Sequence, residues 1–316
     1  MKLPRKHKLA EIAAIINCSF TGDANHHVTG INEIHRVEPG DITFVDNAKY
    51  FERSLTSAAT TIITNDSTLL PPVGKALIYS EDPFGAYNSL AKHFFPFKPS
   101  TKAISDTAVI GEGTIIQPNV FVGNNVTIGK NCIIHPNVAI YDYSIIGDNV
   151  IIGANSVIGS DAFYMKKRDV GYDRWHSIGR AIIEDDVEIG ASCTIDRGVS
   201  ADTTIGKGTK LDNQIHVGHD TIIGKHCLFA AQVGIAGAVD IEDEVTLWGQ
   251  AGISKDLRIG KGAVVMAQSG VPKSLDGGKA YFGSPVMEAR EKMKELTYMK
   301  WLPELIDKLK AKNDSL

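Results

Sequence analysis

Residues 103–162, cut into sixes, read AISDTA, VIGEGT, IIQPNV, FVGNNV, TIGKNC, IIHPNV, AIYDYS, IIGDNV, IIGANS, VIGSDA. The second place of every hexad is β-branched, from Ile104, Ile110, Ile116 and Val122 to Ile152 and Ile158. The register returns at Ile183, Ile189 and Ile195, then runs from Ile205 through Val217 and Ile235 to Val271. An amphipathic helix needs apolar spacings of three and four, and an alternating strand needs two; a period of six is neither. A short fixed period marks a stack of small identical units.

Four residues after each anchor stands a second recurring class, small or β-branched, as at Val120, Val126, Cys132, Val138, Ser144, Val150, Cys193, Thr221 and Cys227. Residues two apart in a strand share a face, so this residue and the next anchor point inward together. The positions after the anchor, often Gly or Asn, make the turn. The expected fold is mainly β: a parallel β-helix with three hexads per coil and roughly eight coils, hydrogen-bonded to one another at about 4.8 Å. Three of the four cysteines occupy the small inward position and none forms a CxxC pair. Packing accounts for them, and no zinc or redox site is signalled.

The 316 residues suffice for about two domains. A charged fraction of 22% and a formal net charge of −4 give no basic excess, so a nucleic-acid partner is not expected. No apolar run approaches the ~20 residues of a membrane-spanning helix. The opening MKLPRKHKLAEIAAIINCSF is interrupted by Glu11 and lacks a small-residue cleavage site. It reads as an amphipathic first helix of a cytoplasmic protein rather than as a signal peptide.

Residues 210–224, KLDNQIHVGHDTIIG, place His216 and His219 among Asp212, Asn213 and Asp220. His216 precedes anchor Val217 and faces outward from a strand. His219 lies two residues after that anchor, on a corner. One coil is eighteen residues, so Gly237 stacks above His219 and Lys255 above Gly237. A base beside an accessible backbone N–H is what acyl transfer requires: one takes the nucleophile's proton, the other holds the oxyanion. Asp212 is expected to orient the imidazole. A solvated corner residue is the plain alternative for any single histidine; His135 and His226 are read that way, while His176 sits in the break of the repeat and is harder to dismiss.

The hexads resemble the hexapeptide-repeat acyltransferases, which implies a left-handed β-helix, a homotrimer and sites in clefts between neighbouring prisms. IGRAIIEDDVEIGASCTIDRG, KLDNQIHVGHDTIIG and AAQVGIAGAVDI more narrowly resemble the UDP-3-O-(3-hydroxyacyl)glucosamine N-acyltransferases of lipid A biosynthesis. That family moves a 3-hydroxyacyl chain from acyl carrier protein to the amine of a UDP-sugar acylated at O3. The resemblance implies His219 as the base, Asp212 as its partner, Gly237 as the oxyanion donor and Asn213 as a substrate contact. GSDAFYMKKRDVGYDRW matches the family's insertion, here about 160–180. No resident cofactor is implied, the acyl group arriving on phosphopantetheine. Where the family usually has a second histidine, AGISKDLRI puts Lys255 and Asp256. Lys255 could attract a phosphopantetheine phosphate and Asp256 could raise the basicity of His219. The same departure leaves open a transferase using acyl-CoA on another UDP-amino sugar, or a non-catalytic UDP-sugar-binding relative.

Residues 1–100 lack the hexad period and read as a small α/β domain, with strand-like TTIIT and helix-like DPFGAYNSLAKHFF. Within it, EPGDITFVDNAKY resembles the family's uracil-binding segment, offering Phe44 and Tyr50 for stacking and Asn47 for the base edge. The β-helix is placed at 101–284 and a helical segment at 285–316, interrupted near Pro303. Met293, Leu296, Met299 and Leu302 form a stripe suited to packing on a trimer, and Lys292, Lys294 and Lys300 could meet an acidic carrier protein.

Overall fold

The computed structural model describes residues 1–313. The hexads coil into a left-handed parallel β-helix whose three sheets hold eight, ten and eight strands. Most strands are only two residues long, such as Ile133–Ile134, Ile145–Ile146 and His216–Val217. Val217 pairs with Ile235 and Ile235 with Ile253, so one coil is eighteen residues in this part of the helix. Anchors and small inward residues fill one continuous core. Ile104 and Ile110 remain 38% and 37% exposed, because they belong to the first coil and nothing covers it from below.

The corners explain how so plain a sequence holds its turns. Three residues after most anchors the backbone turns left-handed, as at Asn131 (φ 54°), Gln214 (60°), Asp220 (57°) and Asp256 (58°). This conformation costs a non-glycine residue roughly 1–2 kcal/mol. Stacking offsets it: the corner N–H donates to a carbonyl in the neighbouring coil, Asn131 to Glu112, Gln232 to Asn213 and Ala238 to His219. Along one corner the side chains stack too. Gln232 donates to Gln214 at 2.8 Å, Gln250 to Gln232 at 2.7 Å and Gln268 to Gln250 at 3.0 Å.

The N-terminal residues form a six-stranded sheet in the order Lys2–Lys8, His27–Ile31, Asp41–Val45, Thr61–Thr64, Ala76–Tyr79, Ser19–Thr21. The first element is therefore a strand, with the expected helix reduced to Leu9–Ile15. Lys2–Lys8 pairs antiparallel with His27–Ile31 across an irregularity that takes in Pro4, and pairing wins over helical periodicity. Helix Pro83–Phe94 buries Phe84, Tyr87, Leu90 and Ala91.

The break in the repeat is an antiparallel hairpin, Met165–Lys167 with Tyr172–Arg174. It reaches across to the N-terminal sheet. Arg168 pairs with Asp82 at 2.7 Å, Lys166 pairs with Asp46, and Trp175 stacks edge-on with Phe44, Phe84 and Tyr87. His176, which had no assigned role, donates through its backbone N–H to Asn88 and its ring nitrogen lies 2.7 Å from the Phe95 carbonyl. Its work is structural.

Helix Ala289–Asn313 runs through Pro303, where an interruption was expected. Proline removes one N–H from the helix interior, but here the surrounding turns are exposed, and water can take the freed carbonyl.

Candidate functional site

The eighteen-residue step sets His219 directly beneath Gly237. A Cβ added at Gly237 would lie 2.4 Å from His219 Nε2, so only glycine lets backbone and imidazole approach this closely. His219 Nδ1 lies 2.8 Å from Asp220 Oδ2. The Asp220 side chain is 1% exposed and the His219 side chain 14%. Asp220 Oδ2 also accepts from the Val199 N–H at 3.0 Å, and the Asp220 N–H donates to Thr203 Oγ1 at 2.8 Å. A carboxylate bonded to Nδ1 fixes the tautomer with its lone pair on Nε2, the atom that faces Gly237.

This corner opens into a cleft of about 1430 Å³. One wall is the β-helix face, where His216, Gly234, Gly252 and Gly270 stack in column. A Cβ at Gly234 or Gly252 would meet nothing within 4 Å, so the column leaves a flat groove above His216. The other wall comes from the N-terminal sheet and the hairpin, with Glu33, Phe44, Tyr50, Tyr164 and Trp175. The Tyr164 ring meets His219 edge-on with centroids 5.3 Å apart. Burial, then the charge of Glu33, pushes its phenol up to about 12. Burial also raises the carboxyls of Glu33 and Asp196, the latter holding Ser160 at 2.8 Å.

Asp212 does not orient His219; Asp220 does. Asp212 follows anchor Leu211 and turns the preceding corner, where Oδ1 accepts from the Asn213 N–H at 2.8 Å. Asn213 Oδ1 accepts from the Ala191 N–H at 2.7 Å. Both line a smaller recess with His135 and Glu188, apart from His219 in this chain. The adjacent carboxylate was visible in the His-Asp pair, but only the left-handed corner at Asp220 turns its side chain back onto the ring. His226 lies against Gly208 on a corner, as a structural residue.

Phe44 is half-buried among Phe84, Tyr87 and Trp175, and Tyr50 is 43% exposed; both line the cleft. Asn47 is exposed, and its side-chain oxygen caps the turn Ala48–Tyr50 by accepting from the Lys49 N–H. Lys255 and Asp256 line the cleft one coil above Gly237, with side chains 80% and 66% exposed and 3.6 Å apart. Lys292 is not a free surface cation: it pairs with Glu295 at 2.9 Å, with its stem against Gly283. Glu33, Tyr164 and Trp175 escaped the sequence reading, because no spacing tells which loops of the N-terminal sheet and hairpin reach His219; Asp196, directly after anchor Ile195 and one coil below the His216–Val217 strand, was within reach of the repeat count and was passed over. Among the described residues, no group of three His, Cys, Asp or Glu side chains could hold a metal ion.

Residues 25–93 match the family model described as UDP-3-O-(3-hydroxymyristoyl) glucosamine N-acyltransferase, LpxD. Residues 107–142, 125–160 and 202–237 match the bacterial transferase hexapeptide, and 180–213 the hexapeptide repeat of succinyl-transferase. A UDP-3-O-acylglucosamine N-acyltransferase of Fusobacterium nucleatum is 45% identical over 97% of this chain and 98% of its own. One of Methylobacterium nodulans is 51% identical over 73 residues, 23% of this chain and 21% of that relative. Among solved structures, UDP-N-acetylglucosamine acyltransferases of Francisella novicida and Bacteroides fragilis superpose with TM-scores of 0.55 each at 26% identity. They cover 61% of this chain, and 71% and 74% of those chains.

Proposed function

The chain belongs to the UDP-3-O-acylglucosamine N-acyltransferase family, and from that premise we propose that His219 is the base that moves a 3-hydroxyacyl chain onto the amine of a UDP-3-O-acylglucosamine in lipid A synthesis. The observation that carries this reading is the His219 imidazole, held by buried Asp220 with Nε2 turned to the Gly237 backbone inside the cleft.

The amine nitrogen attacks the thioester carbonyl carbon, and the carbonyl oxygen takes the developing charge. The Gly237 N–H is the donor for that oxyanion. Nε2 accepts the amine proton while Asp220 stabilises the imidazolium. Collapse breaks the C–S bond, and the proton on Nε2 returns to the leaving thiolate. The Gly234–Gly252–Gly270 groove takes the acyl chain, and Lys255 attracts the phosphate of the phosphopantetheine arm. Phe44 and Tyr50 contact the uracil. The oxygen of Asn47 being used in its turn, its amide nitrogen is the group left for the base edge. Asp256 stands where the family usually has a second histidine, so His219 works alone.

The donor is acyl carrier protein, met through Lys294 and Lys300 on the exposed C-terminal helix. A cytoplasmic homotrimer closes the cleft, its packing face carrying half-exposed Leu228. No resident cofactor enters the chemistry. The test is turnover of UDP-3-O-acylglucosamine with 3-hydroxyacyl groups on acyl carrier protein and on CoA, with products weighed by mass spectrometry. His219→Ala should lower kcat by roughly 10²- to 10⁴-fold and leave UDP-sugar binding in place. Normal turnover by that folded variant would refute the assignment, and equal use of acyl-CoA would remove the carrier protein.

A further inference from the structure

Behind His219 lies a carboxyl that the transfer chemistry leaves unused. Glu33, on the loop after strand His27–Ile31, is 7% exposed and lines the same cleft as Asp220. The short segment Gly198–Val199–Ser200 ties the two acids together. Val199 donates its N–H to Asp220 Oδ2, Ser200 Oγ accepts the Glu33 N–H at 3.0 Å, and a Cβ at Gly198 would lie 2.7 Å from Asp220 Oδ1. That Oδ1 is buried without a hydrogen-bond partner among the described residues. Among the described residues the one ion-pairing neighbour of Glu33 within 4 Å is His35, whose Nε2 stands 3.9 Å away.

A buried acceptor without a donor costs free energy, and two neighbouring carboxylates away from water do not both ionise. We propose that Glu33 is a positioning residue of the site, keeping its carboxyl proton and offering it to the free oxygen of Asp220, so that the pair holds a single negative charge behind His219. The inference rests on His219 being the base.

The surroundings agree. Burial, then the charges of Asp220 and Asp256, pushes the Glu33 carboxyl well up, with Arg36 opposing. Tyr87 on helix Pro83–Phe94 and Tyr164 on the hairpin face the same group, and burial, then Glu33, holds both phenols protonated. Burial lowers the His35 imidazole, so it stays neutral beside Glu33. With the proton in place, Asp220 balances the imidazolium as it forms. When Glu33 loses that proton at high pH, its charge repels the Asp220 carboxylate that holds the imidazole, and the positioning of His219 is lost.

Carboxyl ¹³C spectra of protein labelled at glutamate test this without turnover. The resonance that vanishes in Glu33→Gln should stay protonated through neutral pH and titrate lower in Asp220→Asn. If Glu33→Gln does not fold, the displacement in Asp220→Asn identifies the resonance. Titration in the ordinary range, near pH ~4.3, overturns the proposal. Kinetically, Glu33→Ala should lose roughly tenfold in kcat/KM, the worth of one unsatisfied buried polar group. Glu33→Gln, which keeps a donor, should lose less and should lack the alkaline fall of the wild type. Equal losses in the two variants, or an unchanged alkaline limb in Glu33→Gln, overturn it as well. Failure of the base assignment would look different: His219→Ala would turn over normally while the Glu33 carboxyl still titrated high.

Discussion

Adding one methyl group at Gly237 should disable the site while leaving the fold and the nucleotide contacts standing. In Gly237→Ala the new Cβ would sit 2.4 Å from His219 Nε2, 2.6 Å from Cε1 and 2.8 Å from Cδ2. Carbon contacts are comfortable at about 3.5 Å and beyond, so the ring must retreat by about 1 Å. It cannot slide freely, because Nδ1 is bonded to Asp220 and Asp220 is held in turn by Val199. A misplacement of ~1 Å at a reacting group costs up to ~10²-fold, and kcat should fall by about that factor. KM for the UDP-sugar should hold, since Phe44 and Tyr50 lie on the opposite wall. A ring forced off its rotamer costs of order 0.5–1.5 kcal/mol, a Tm loss of a few degrees by calorimetry. Gly234→Ala is the control: its Cβ meets nothing within 4 Å, so it narrows the groove without touching the imidazole. If Gly237→Ala turned over within threefold of wild type, or Gly234→Ala lost more kcat than Gly237→Ala, the imidazole would not be the reacting group.

Asp220→Asn should cost up to ~10⁴-fold in kcat by releasing the tautomer, whereas Asp212→Asn should cost far less in steady-state assays; the reverse order would restore Asp212 as the partner. Tyr50→Ala should raise KM by ~5- to 150-fold, the worth of one stacking contact, and an unchanged KM would place the uracil elsewhere. Trp175→Ala should destabilise by about 3–5 kcal/mol and raise KM, because the aromatic cluster joins hairpin to N-terminal sheet; denaturant melts and Michaelis curves read the two effects, and neither changing would refute the joint. Burial pushes the Cys227 thiol from 9.0 up to about 11. The folded state therefore favours the protonated thiol, so the stability it confers is whole below pH 9 and is lost as pH rises towards 11. Cys227→Val should flatten that part of a stability-against-pH curve, and an unaltered slope would disprove the assignment.

The hexad period made the β-helix legible because each residue class recurs for one physical reason. Ile, small residue and left-handed corner each have a fixed place in the coil, and stacking follows by counting. The counting also set Gly237 over His219 and Lys255 over Gly237. The Asp212 assignment went against it: Asp212 follows the anchor one hexad earlier and so turns a different corner, whereas Asp220 shares the corner of His219. The counting was silent on Glu33 and Tyr164, which reach the cleft through tertiary packing of a sheet and a hairpin with no period of their own. Pro303 misled for the opposite reason: a local rule was applied where solvent relieves the cost.

The glutamine column at 214, 232, 250 and 268 implies that the regular stack, apart from excursions looped out at a corner like the hairpin, can change length only in whole rungs. Splicing in or cutting out a full coil would join one carboxamide to the next with every hydrogen bond remade, and evolution could do so almost silently. A change of a single hexad would rotate everything above it by a third of a turn, break the column, and carry Gly237 away from His219 to another side of the prism. Descendants of this protein should therefore differ in height by multiples of eighteen residues within the regular stack, and between His219 and Gly237 even a whole extra coil would part the imidazole from the glycine that sits over it.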